Sequence, residues 1–530
     1  MPYLPSVMTT PTAATPLPRR LPVAAWFALI LVAGLGLRLV LAYVVFPSQG
    51  FATDLEQFRS WSMDLARTGP GSFYQTSGAN YPPGYMYVLW LLGELGQLGS
   101  VFGATASQAT LALLKLPAIA ADGAIAVLLY RAGTAWFGGR AGLVAAGLYL
   151  FVPVTWYDSA LWGQVDAVGS LLMLAALLAL IDGWSEPAAV LGVLSVLVKP
   201  QDAVCLVVLV PVLVRRHLLR VGTGPQPHFG QRAAALDDRL GGLLGEQGPI
   251  RLGTSLALGA LVGIVLLLPF DIESLAPASL ASVPVIGQIA GLVSLFGSAA
   301  GQFDVLTANA FNGWALIGPS PLSSIAAGGG SWTPDSLVVI GGITAVELGG
   351  AALVLIGLLV VGGLLLRDGR LPIFLAFALT AFAFYAVPTR VHERYLFAFF
   401  PVGALLAAGF MGGSLVYFAT GALNAVNLHA VLGNSGAIGG FAGGPGGFGN
   451  PGGFGGAGFG GPGVGVRGGF GGGGISWPNL PFVDIARSEP VVAAVAVGQT
   501  LAFAALLVAW LVVAFGPLLR SRAILEPETA

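Results

Sequence analysis

The sequence predicts a polytopic membrane protein built from α-helices. Two observations support this prediction: the composition and the long apolar runs. Of the 530 residues, 56% are hydrophobic and 9% are charged, whereas soluble domains carry roughly 25% charged residues. Runs of apolar residues long enough to cross a bilayer recur along the chain, since about 20 helical residues span the hydrocarbon core. The clearest are 22–46, 252–270, 337–366 and 490–516. This composition excludes an ordinary cytosolic enzyme.

Charge and cysteine content exclude further classes. The net charge is −1, from 23 Lys+Arg against 24 Asp+Glu, so no basic stripe favours nucleic acid as a partner. The single cysteine, Cys205, lies in an apolar stretch and excludes both an internal disulfide framework and a cysteine-based metal site. Arg19 and Arg20 precede the first apolar run, which is longer than a signal-peptide core and is expected to remain as the first span.

Arginine clusters predict the topology, because cytoplasmic loops are enriched in Lys and Arg. Five groups flank apolar runs, at 19–20, 131–140, 215–220 with 232, 239 and 251 following, 367–370 and 520–522. Placing all of them inside predicts about twelve transmembrane helices with both termini cytoplasmic. The expected spans are 22–46, 111–130, 141–157, 166–182, 187–214 as two half-length helices meeting at Lys199-Pro200-Gln201, 252–270, 337–366, 371–388, 394–412, 414–432 and 490–516.

Residues 83–102 are apolar enough to span, but a crossing there would invert every later arginine cluster, so we expect a helix at the outer interface. Long outward-facing regions then follow at 47–110, 271–336 and 433–489; the last is rich in Gly, Phe and Pro and is expected to be disordered. The predicted organisation is a cytoplasmic tail 1–21, a transmembrane region 22–432 with a first extracytoplasmic loop 47–110, a Gly-rich loop 433–489, a last transmembrane helix 490–516 and a cytoplasmic tail 517–530.

The first outer loop carries an amphipathic helix and an acidic residue. Apolar residues repeat at helical spacing at Leu55, Phe58, Trp61 and Leu65, and Thr53 with Glu56 matches a capping box. Asp54 falls in the first turn, where it could simply complement the helix dipole, worth about 0.3–1 kcal/mol. The run Tyr81-Pro82-Pro83 is either a helix start with an aromatic belt or a rigid corner that returns the chain to the membrane near Asp54.

Charged residues at membrane depth are costly and are therefore functional candidates. The only lysines, Lys115 and Lys199, lie near the outer ends of predicted spans, which suggests an anion held at that face. Lys115 and Asp122 are seven residues apart and share a helix face. They either form a structural salt bridge through a partner helix, or Lys115 meets a ligand while Asp122 holds a neighbouring helix.

Two further groups are predicted at the outer face. Asp158, Trp162 and Asp166 have the i, i+4, i+8 spacing of one helix face, which suits either a sugar or an ion-coupling site. Arg390, His392 and Arg394 open the predicted span 394–412. They are either snorkelling residues of the interface or a phosphate clamp, which the forked donors of arginine suit.

Taken together, these motifs resemble the GT-C glycosyltransferases, integral membrane enzymes that use lipid-phosphate sugars. The nearest patterns are those of the dolichyl-phosphate-glucose-dependent glucosyltransferases and of bacterial mannosyltransferases similar to the enzyme that adds the second mannose of GPI anchors. The matching segments, spread over about 40–430, are Asp54-Leu-Glu56-Gln-Phe-Arg59-Ser-Trp61 for D-x-E-x-x-R-x-W, Tyr81-Pro82-Pro83 for Y-P-P, Trp162-Gly-Gln164-Val-Asp166 in place of H-F-Q-x-N, Val391-His392-Glu393-Arg394 for V-H-E-K, and Lys199-Pro200-Gln201 with Asn309-Ala-Phe-Asn312-Gly-Trp314 of bacterial members.

The resemblance implies a GT-C fold and an inverting transfer of a hexose, mannose or glucose, from a polyprenyl-phosphate donor to a glycan, lipid or protein acceptor. Asp54 is implied as the catalytic base. The substrate-binding residues are then expected to be Glu56, Arg59, Tyr81, Lys115, Asp158, Trp162, Gln164, Asp166, Lys199, Gln201, Asn312, Trp314, Arg390, His392, Glu393 and Arg394. Of these, Lys115, His392 and Arg394 would hold the phosphate.

No cofactor or resident metal is expected, although the carboxylates at 54, 158 and 166 could bind a divalent ion. We expect a multi-pass protein of a bacterial plasma membrane whose site faces outward. A secondary transporter of a small polar or anionic solute is the rival class, because broken helices such as 187–214 and midmembrane carboxylates such as Asp122 and Glu347 fit one. A structural scaffold would leave the outer-face cations without a purpose.

Overall fold

The computed structural model describes residues 22–221, 248–317, 333–433 and 475–525, and these are almost entirely helical. The helices of the first half are α1 (Val23–Val40), α2 (Ala52–Thr68), α3 (Phe73–Thr76), α4 (Pro83–Gln97), α5 (Ala106–Leu113), α6 (Leu116–Phe137), α7 (Gly139–Phe151), α8 (Pro153–Trp156), α9 (Asp166–Ile181), α10 (Ser185–Val198) and α11 (Val204–Leu213). The later helices are α12 (Pro249–Leu267), α13 (Ala278–Ala281), α14 (Ile286–Ala300), α15 (Ala345–Leu366), α16 (Arg370–Ala386), α17 (Phe399–Gly409), α18 (Met411–Leu432), α19 (Val483–Ala486) and α20 (Glu489–Leu525). The predicted all-α architecture is confirmed for these ranges.

Short irregular helices join or extend the α-helices. The π-helical segments are Leu41–Val45, Tyr157–Trp162 and Val214–Leu218, and the 3₁₀ segments are Leu98–Phe102, Pro200–Ala203, Ile272–Leu275 and Gly313–Leu316. An antiparallel hairpin of β1 (Val338–Ile340) and β2 (Ile343–Thr344) precedes α15. At Pro153 the helical path bends by 50°, because proline at the start of α8 cannot continue the hydrogen bonding of α7.

The described residues contain six helices long and apolar enough to cross a membrane, or seven if the bent pair that joins α7 to residues 153–162 is one span. The six are Val23–Val45, Ala106–Phe137, Pro249–Leu267, Ala345–Leu366, Met411–Leu432 and Glu489–Pro517. Shorter apolar helices are Asp166–Ile181, Ser185–Val198, Ile286–Ala300, Arg370–Ala386 and Phe399–Gly409. A multi-pass membrane protein is therefore confirmed, while the count of twelve spans stays a prediction.

Two predicted spans begin later in the structure than the sequence indicated. The span expected from 337 begins at 345, because Gly341 and Gly342 adopt positive φ in a hairpin turn. Thr344 then caps α15 in a capping box with Glu347, so Glu347 lies at an exposed helix start and not at midmembrane depth. The span expected from 394 begins at Phe399. In contrast, the break predicted at Lys199-Pro200-Gln201 separates α10 from α11 as expected.

The amphipathic helix of the first loop is confirmed as α2, with Leu55, Phe58, Trp61 and Leu65 on its buried face. The capping box predicted at Thr53 and Glu56 is wrong: the helix is capped at Phe51 without a side-chain bond, and Glu56 pairs with Arg59 instead. The buried face packs on α4 in a hydrophobic cluster separate from the main core. The helix expected over 83–102 is also present, as α4 and its 3₁₀ extension.

The main hydrophobic core lies between α6, α7, α9, α16 and α17. A charged cluster is enclosed within it: the Asp122 carboxylate accepts hydrogen bonds from Arg38 Nε and from the hydroxyls of Tyr149 and Ser159, each at 2.6 Å. Arg38 and Asp122 are fully buried. Asp122 therefore holds a neighbouring helix, α1, which was one of the two alternatives for it.

Asp122→Asn should lower the free energy of unfolding by about 3–5 kcal/mol, because it leaves the buried guanidinium of Arg38 without its counter-charge. Thermal unfolding in detergent measures the change. Asp64→Asn is the control, since Asp64 is partly exposed on α2 and pairs with the exposed Arg67. This substitution should change stability by less than about 0.5 kcal/mol. Equal stability of the two variants would contradict the role of the cluster.

Candidate active site

Asp54 lies in the first turn of α2, with its carboxylate held from one side. Its Oδ2 atom accepts hydrogen bonds from Trp162 Nε1 at 3.0 Å and from Gln164 Nε2 at 2.5 Å. Arg394 Nη2 lies 3.9 Å from the same oxygen. No described residue donates a hydrogen bond to Oδ1, and the side chain is 17% exposed. One oxygen of the carboxylate is thus oriented and the other remains available.

The amide of Gln164 is oriented by its neighbours. Its Oε1 atom accepts from Lys199 Nζ at 3.1 Å and from the Tyr81 hydroxyl at 3.3 Å. Because an ammonium can only donate, the amide oxygen faces Lys199 and the NH₂ group faces Asp54. The structure thus links the first loop to the break between α10 and α11 through a single side chain.

A buried ion pair supports this amide. Lys199 Nζ lies 2.9 and 3.0 Å from the two oxygens of Asp166, and Gln201 Nε2 donates to Asp166 at 2.9 Å. The Lys199 ammonium also lies 5.4 Å from the centre of the Tyr81 ring. A small cavity of about 10 Å³, enough for about one water molecule, is lined by Asp166, Gln201 and Tyr395 among others.

The helix face predicted for Asp158, Trp162 and Asp166 is wrong. The π-helical segment ends at Trp162, Gly163 turns the chain with φ +86°, and Asp166 begins the separate helix α9. Trp162 and Asp166 still reach the same site through this turn. Asp158 is fully buried, and its carboxylate oxygens have no hydrogen-bond partner among the described residues.

Lys115 does not present its ammonium to the site. Its Nζ donates to the carbonyls of Gln49 at 2.6 Å, Ala160 at 2.7 Å and Leu161 at 3.3 Å, which accounts for all three of its N–H donors. The carbonyls of Ala160 and Leu161 lie at the end of the helical segment that finishes at Trp162, where the last carbonyls lack intrahelical partners. Lys115 therefore fixes the segment that carries Trp162, and the expectation that it meets a ligand is corrected.

Two other predicted cations are also engaged. Arg390 pairs with Asp304 at 2.9 Å and with Asp335 at 2.6 Å, so its fork binds two carboxylates of the chain itself. His392 packs edge-on against Phe303 at 4.7 Å. Burial, aided by the charges of Arg394 and Lys199, lowers the pKa of His392 well below its usual value. His392 is consequently neutral at pH 7, not a cation.

Arg394 is the cation that faces Asp54. Its Nη1 donates to Glu393 Oε1 at 3.0 Å, and its guanidinium carbon lies 5.4 Å from the centre of the Trp162 ring. Its Nε atom has no hydrogen-bond partner in the described part of the chain. Burial raises the pKa of Glu393 to about 7, although Arg394 opposes the rise.

The remaining predicted residues have backbone or local partners. Asn312 donates to the Tyr385 carbonyl at 2.9 Å and accepts from the Trp314 amide, while Trp314 Nε1 donates to the Val387 carbonyl at 2.7 Å. Both side chains thereby hold the end of α16. Glu56 and Arg59 pair with each other on α2. Within the described ranges, no three His, Cys, Asp or Glu side chains are grouped so that they could hold a metal ion.

Solved structures of an archaeal oligosaccharyltransferase are similar to this chain. The enzyme is AglB from Archaeoglobus fulgidus; its complex with an inhibitory peptide and a dolichol-phosphate has a TM-score of 0.38 and 14% identity over 76% of this chain and 52% of that one. Its apo form has a TM-score of 0.37 and 14% identity over 74% of this chain and 51% of that one. A form tethered to an acceptor peptide has a TM-score of 0.37 and 13% identity over 91% of this chain and 55% of that one. The chain thus spans about half the length of these proteins. No family model and no curated protein matches the sequence.

Two parts of the site were not predicted from the sequence: Phe51, and the residues that follow the Gly-rich tract 434–474, which lies outside the described ranges. Phe51 caps α2 and stacks on Trp162, with ring centres 4.6 Å apart and planes at 5°. Trp477 contacts Phe51 edge-on at 4.4 Å. The aromatic character of Phe51 beside Asp54 was visible in the sequence, whereas the approach of Trp477 was not.

Gly50→Ala should destabilise this site. A Cβ at residue 50 would lie 2.6 Å from Leu55 Cδ1 and 2.8 Å from the carbonyl oxygens of Leu161 and Trp162. We expect a loss of about 1–3 kcal/mol in unfolding free energy from overpacking. Gly36→Ala is the control, because nothing lies within 4 Å of a Cβ there. Thermal unfolding compares the two variants, and an unchanged midpoint for Gly50→Ala would contradict the close approach.

Proposed function

We propose that this protein is an inverting glycosyltransferase of the GT-C type that moves a hexose, mannose or glucose, from a polyprenyl-phosphate donor to an acceptor hydroxyl. The observation that carries the proposal is the setting of Asp54: an oriented carboxylate with one free oxygen, next to a guanidinium that has a spare donor. The motifs that resemble GT-C enzymes supply most of this setting, since Asp54, Gln164 and Arg394 come from three of them.

Asp54 is proposed as the general base. The hydrogen bonds from Trp162 and Gln164 fix Oδ2 and leave Oδ1 without a donor among the described residues. An acceptor hydroxyl that gives its proton to Oδ1 attacks the anomeric carbon from the face opposite the phosphate. A bond forms from the acceptor oxygen to carbon, and the bond from carbon to phosphate oxygen breaks. One carboxylate suffices, because the phosphate leaves with the bonding electron pair and needs no proton.

Arg394 is proposed to stabilise the charge that develops on the phosphate. The other expected cations have partners within the chain: Lys115 binds carbonyls, Arg390 binds Asp304 and Asp335, and Lys199 binds Asp166. Arg394 lies 3.9 Å from Asp54 and has an unpartnered Nε atom within the described residues. A largely enclosed guanidinium whose position is fixed stabilises an oxyanion strongly, because little reorganisation is needed as charge develops.

The sugar is proposed to lie between Tyr81, Trp162 and Gln164. Tyr81 is proposed to present its ring to the C–H face of the hexose, and Trp162, whose ring stacks on Phe51, to border the pocket. The Lys199, Asp166 and Gln201 network would offer hydrogen bonds to the sugar hydroxyls. Lys115, Asn312 and Trp314 position this pocket through the backbone contacts described above. His392 is proposed as a neutral neighbour of the phosphate site, with Glu56, Arg59 and Asp158 as more distant residues of the same region.

The site is proposed to face the outside of a bacterial plasma membrane. Asp166 and Lys199 lie at one end of α9 and α10, whereas Arg215 and Arg216 follow the opposite end of α11 and bind Asp368. If these arginines are cytoplasmic, as the positive-inside rule favours, the site lies at the outer face. The lipid part of the donor would then enter from the bilayer, and the acceptor, a glycan, lipid or protein, from outside.

Two observations weigh against a secondary transporter. Asp122, one of the carboxylates on which that alternative rests, is enclosed with Arg38, Tyr149 and Ser159, and Glu347 caps an exposed helix end. Neither carboxylate is left available at midmembrane depth for a coupling ion. No resident cofactor is part of the proposal.

Asp54→Asn should reduce sugar transfer at least about a hundredfold, since a positioned base contributes about 10²–10⁴-fold. The amide retains an oxygen that can accept from Trp162, so folding should be preserved. Transfer from mannosyl- and glucosyl-polyprenyl-phosphate by the purified protein is the measurement. Asp64→Asn is the control, because Asp64 is partly exposed on the same helix. Full turnover in Asp54→Asn would remove the residue from the mechanism, and solute uptake into vesicles without transfer would favour the transporter.

Donor affinity should fall as pH rises through about 7. Above its pKa of about 7, Glu393 is ionised and competes with the donor phosphate for Arg394, while below it the neutral acid does not. The donor is a phosphodiester and does not titrate in this window. We expect the donor KM to increase about fivefold from pH 6 to pH 8.

The matched variant Glu393→Gln should show a low donor KM that does not change over this range, because the amide carries no charge at any pH. The decisive comparison is donor KM against pH for both proteins. A rise of equal size in Glu393→Gln would assign the titration to another group.

A further inference from the structure

The residues that emerge from the Gly-rich tract are bound directly to the backbone that precedes Asp54. Gly50 N donates to the Ser476 carbonyl at 3.1 Å, and Ser476 N donates to the Ser48 carbonyl at 3.3 Å. These two bonds form a parallel bridge between Gln49 and Ser476. Residues 475–477, named here the strap, therefore add a short extended segment to the turn that leads into α2.

Side chains continue the contact from the strap to the catalytic carboxylate. Trp477 meets Phe51 edge-on at 4.4 Å, with ring planes at 71°. Phe51 stacks on Trp162 at 4.6 Å, and Trp162 Nε1 donates to Asp54 at 3.0 Å. The chain of contacts thus runs through three aromatic rings and ends on the oriented oxygen of Asp54.

The backbone around Phe51 shows why such support is needed. The amide of Phe51 donates to the Trp162 carbonyl at 3.1 Å, and Ser48 adopts a positive φ of 56°, which costs energy for a residue with a side chain. Phe51 caps α2 without a side-chain bond. The start of α2 is therefore held by contacts from outside the helix: the carbonyl of Trp162, the Lys115 ammonium on Gln49 and the strap.

We infer that Trp477 is a positioning residue for Asp54. The strap fixes the turn 48–51. Trp477 packs on Phe51, which stacks on Trp162, and this packing keeps the Trp162 indole N–H directed at the Asp54 carboxylate. Edge-on aromatic pairs of this kind stabilise a geometry beyond the area that they bury. This inference rests on the proposed function, because it assigns Trp477 to the setting of the base.

Trp477 would act on the position of Asp54 and not on substrate binding. It contacts Phe51, the first of two rings that lie between it and Asp54, so its loss should misplace the base and leave donor contacts intact. We expect Trp477→Ala to lower kcat about tenfold with donor KM changed less than twofold, since small misplacements of a catalytic group cost rate more than binding. Trp477→Phe should recover most of kcat, because an aromatic ring again meets Phe51.

Hydrogen exchange of the full-length protein in lipid nanodiscs supplies a readout that does not depend on activity. Amides of 48–56 should exchange about tenfold faster in Trp477→Ala than in the wild type, because local opening of the turn becomes easier. Trp26→Ala is the matched control: Trp26 is half-exposed on α1, and its loss should change neither exchange at 48–56 nor kcat.

The outcomes distinguish the inference from the proposed function. Faster exchange together with a lower kcat and restoration by Trp477→Phe supports the positioning role. Unchanged exchange at 48–56 overturns it, whatever the activity. Faster exchange with unchanged kcat also overturns it, because the strap would then support the fold without positioning the base. Absence of sugar transfer in the wild type, with exchange altered in Trp477→Ala, overturns the proposed function and leaves the strap as the anchor of this turn.

Discussion

The turn at Gly163 sets the geometry on which the site depends. It follows a π-helical segment and precedes α9, and its φ of +86° lets Trp162 and Gln164, on either side of it, both reach the same oxygen of Asp54. A Cβ at this position would lie 2.6 Å from Leu55 Cδ2, which is on the helix that carries Asp54. Both the left-handed conformation and the close approach require glycine. The contact between α2 and this turn therefore depends first on steric fit and backbone conformation at Gly163, and not on charge.

Around this contact, most charged side chains neutralise one another or bind backbone carbonyls. Burying an unpaired charge is costly. In this structure Lys199 pairs with Asp166, Arg38 pairs with Asp122, and Lys115 donates to three carbonyls. These partnerships make the scaffold rigid. They also leave few groups that can respond to a ligand, and Asp54, Arg394 and Glu393 are prominent among them. Function is accordingly proposed for the residues whose hydrogen-bonding capacity the fold does not exhaust.

Some features of the site could be predicted from local pattern. The spacing of Leu55, Phe58, Trp61 and Leu65 predicted α2 and its buried face, and the arginine clusters at both ends of 187–214 predicted the break between α10 and α11 at Lys199-Pro200-Gln201. Predictions failed where a backbone irregularity intervened. The shared face of Asp158 and Asp166 assumed one continuous helix, which Gly163 interrupts. The cationic role of Lys115 assumed a free ammonium, whereas a helix end supplies carbonyls that bind it.

The sequence by itself determined that the chain is a multi-pass helical membrane protein, because hydropathy and helical period are properties of neighbouring residues. It also determined which polar residues are too costly to be incidental. Only the tertiary structure decided their partners. Trp162 is 108 residues from Asp54 in the chain, and Trp477 comes from beyond the Gly-rich tract. Such contacts depend on how separate helices pack, and no local pattern contains that information. The neutral state of His392 follows from burial by residues that only the packed structure brings together.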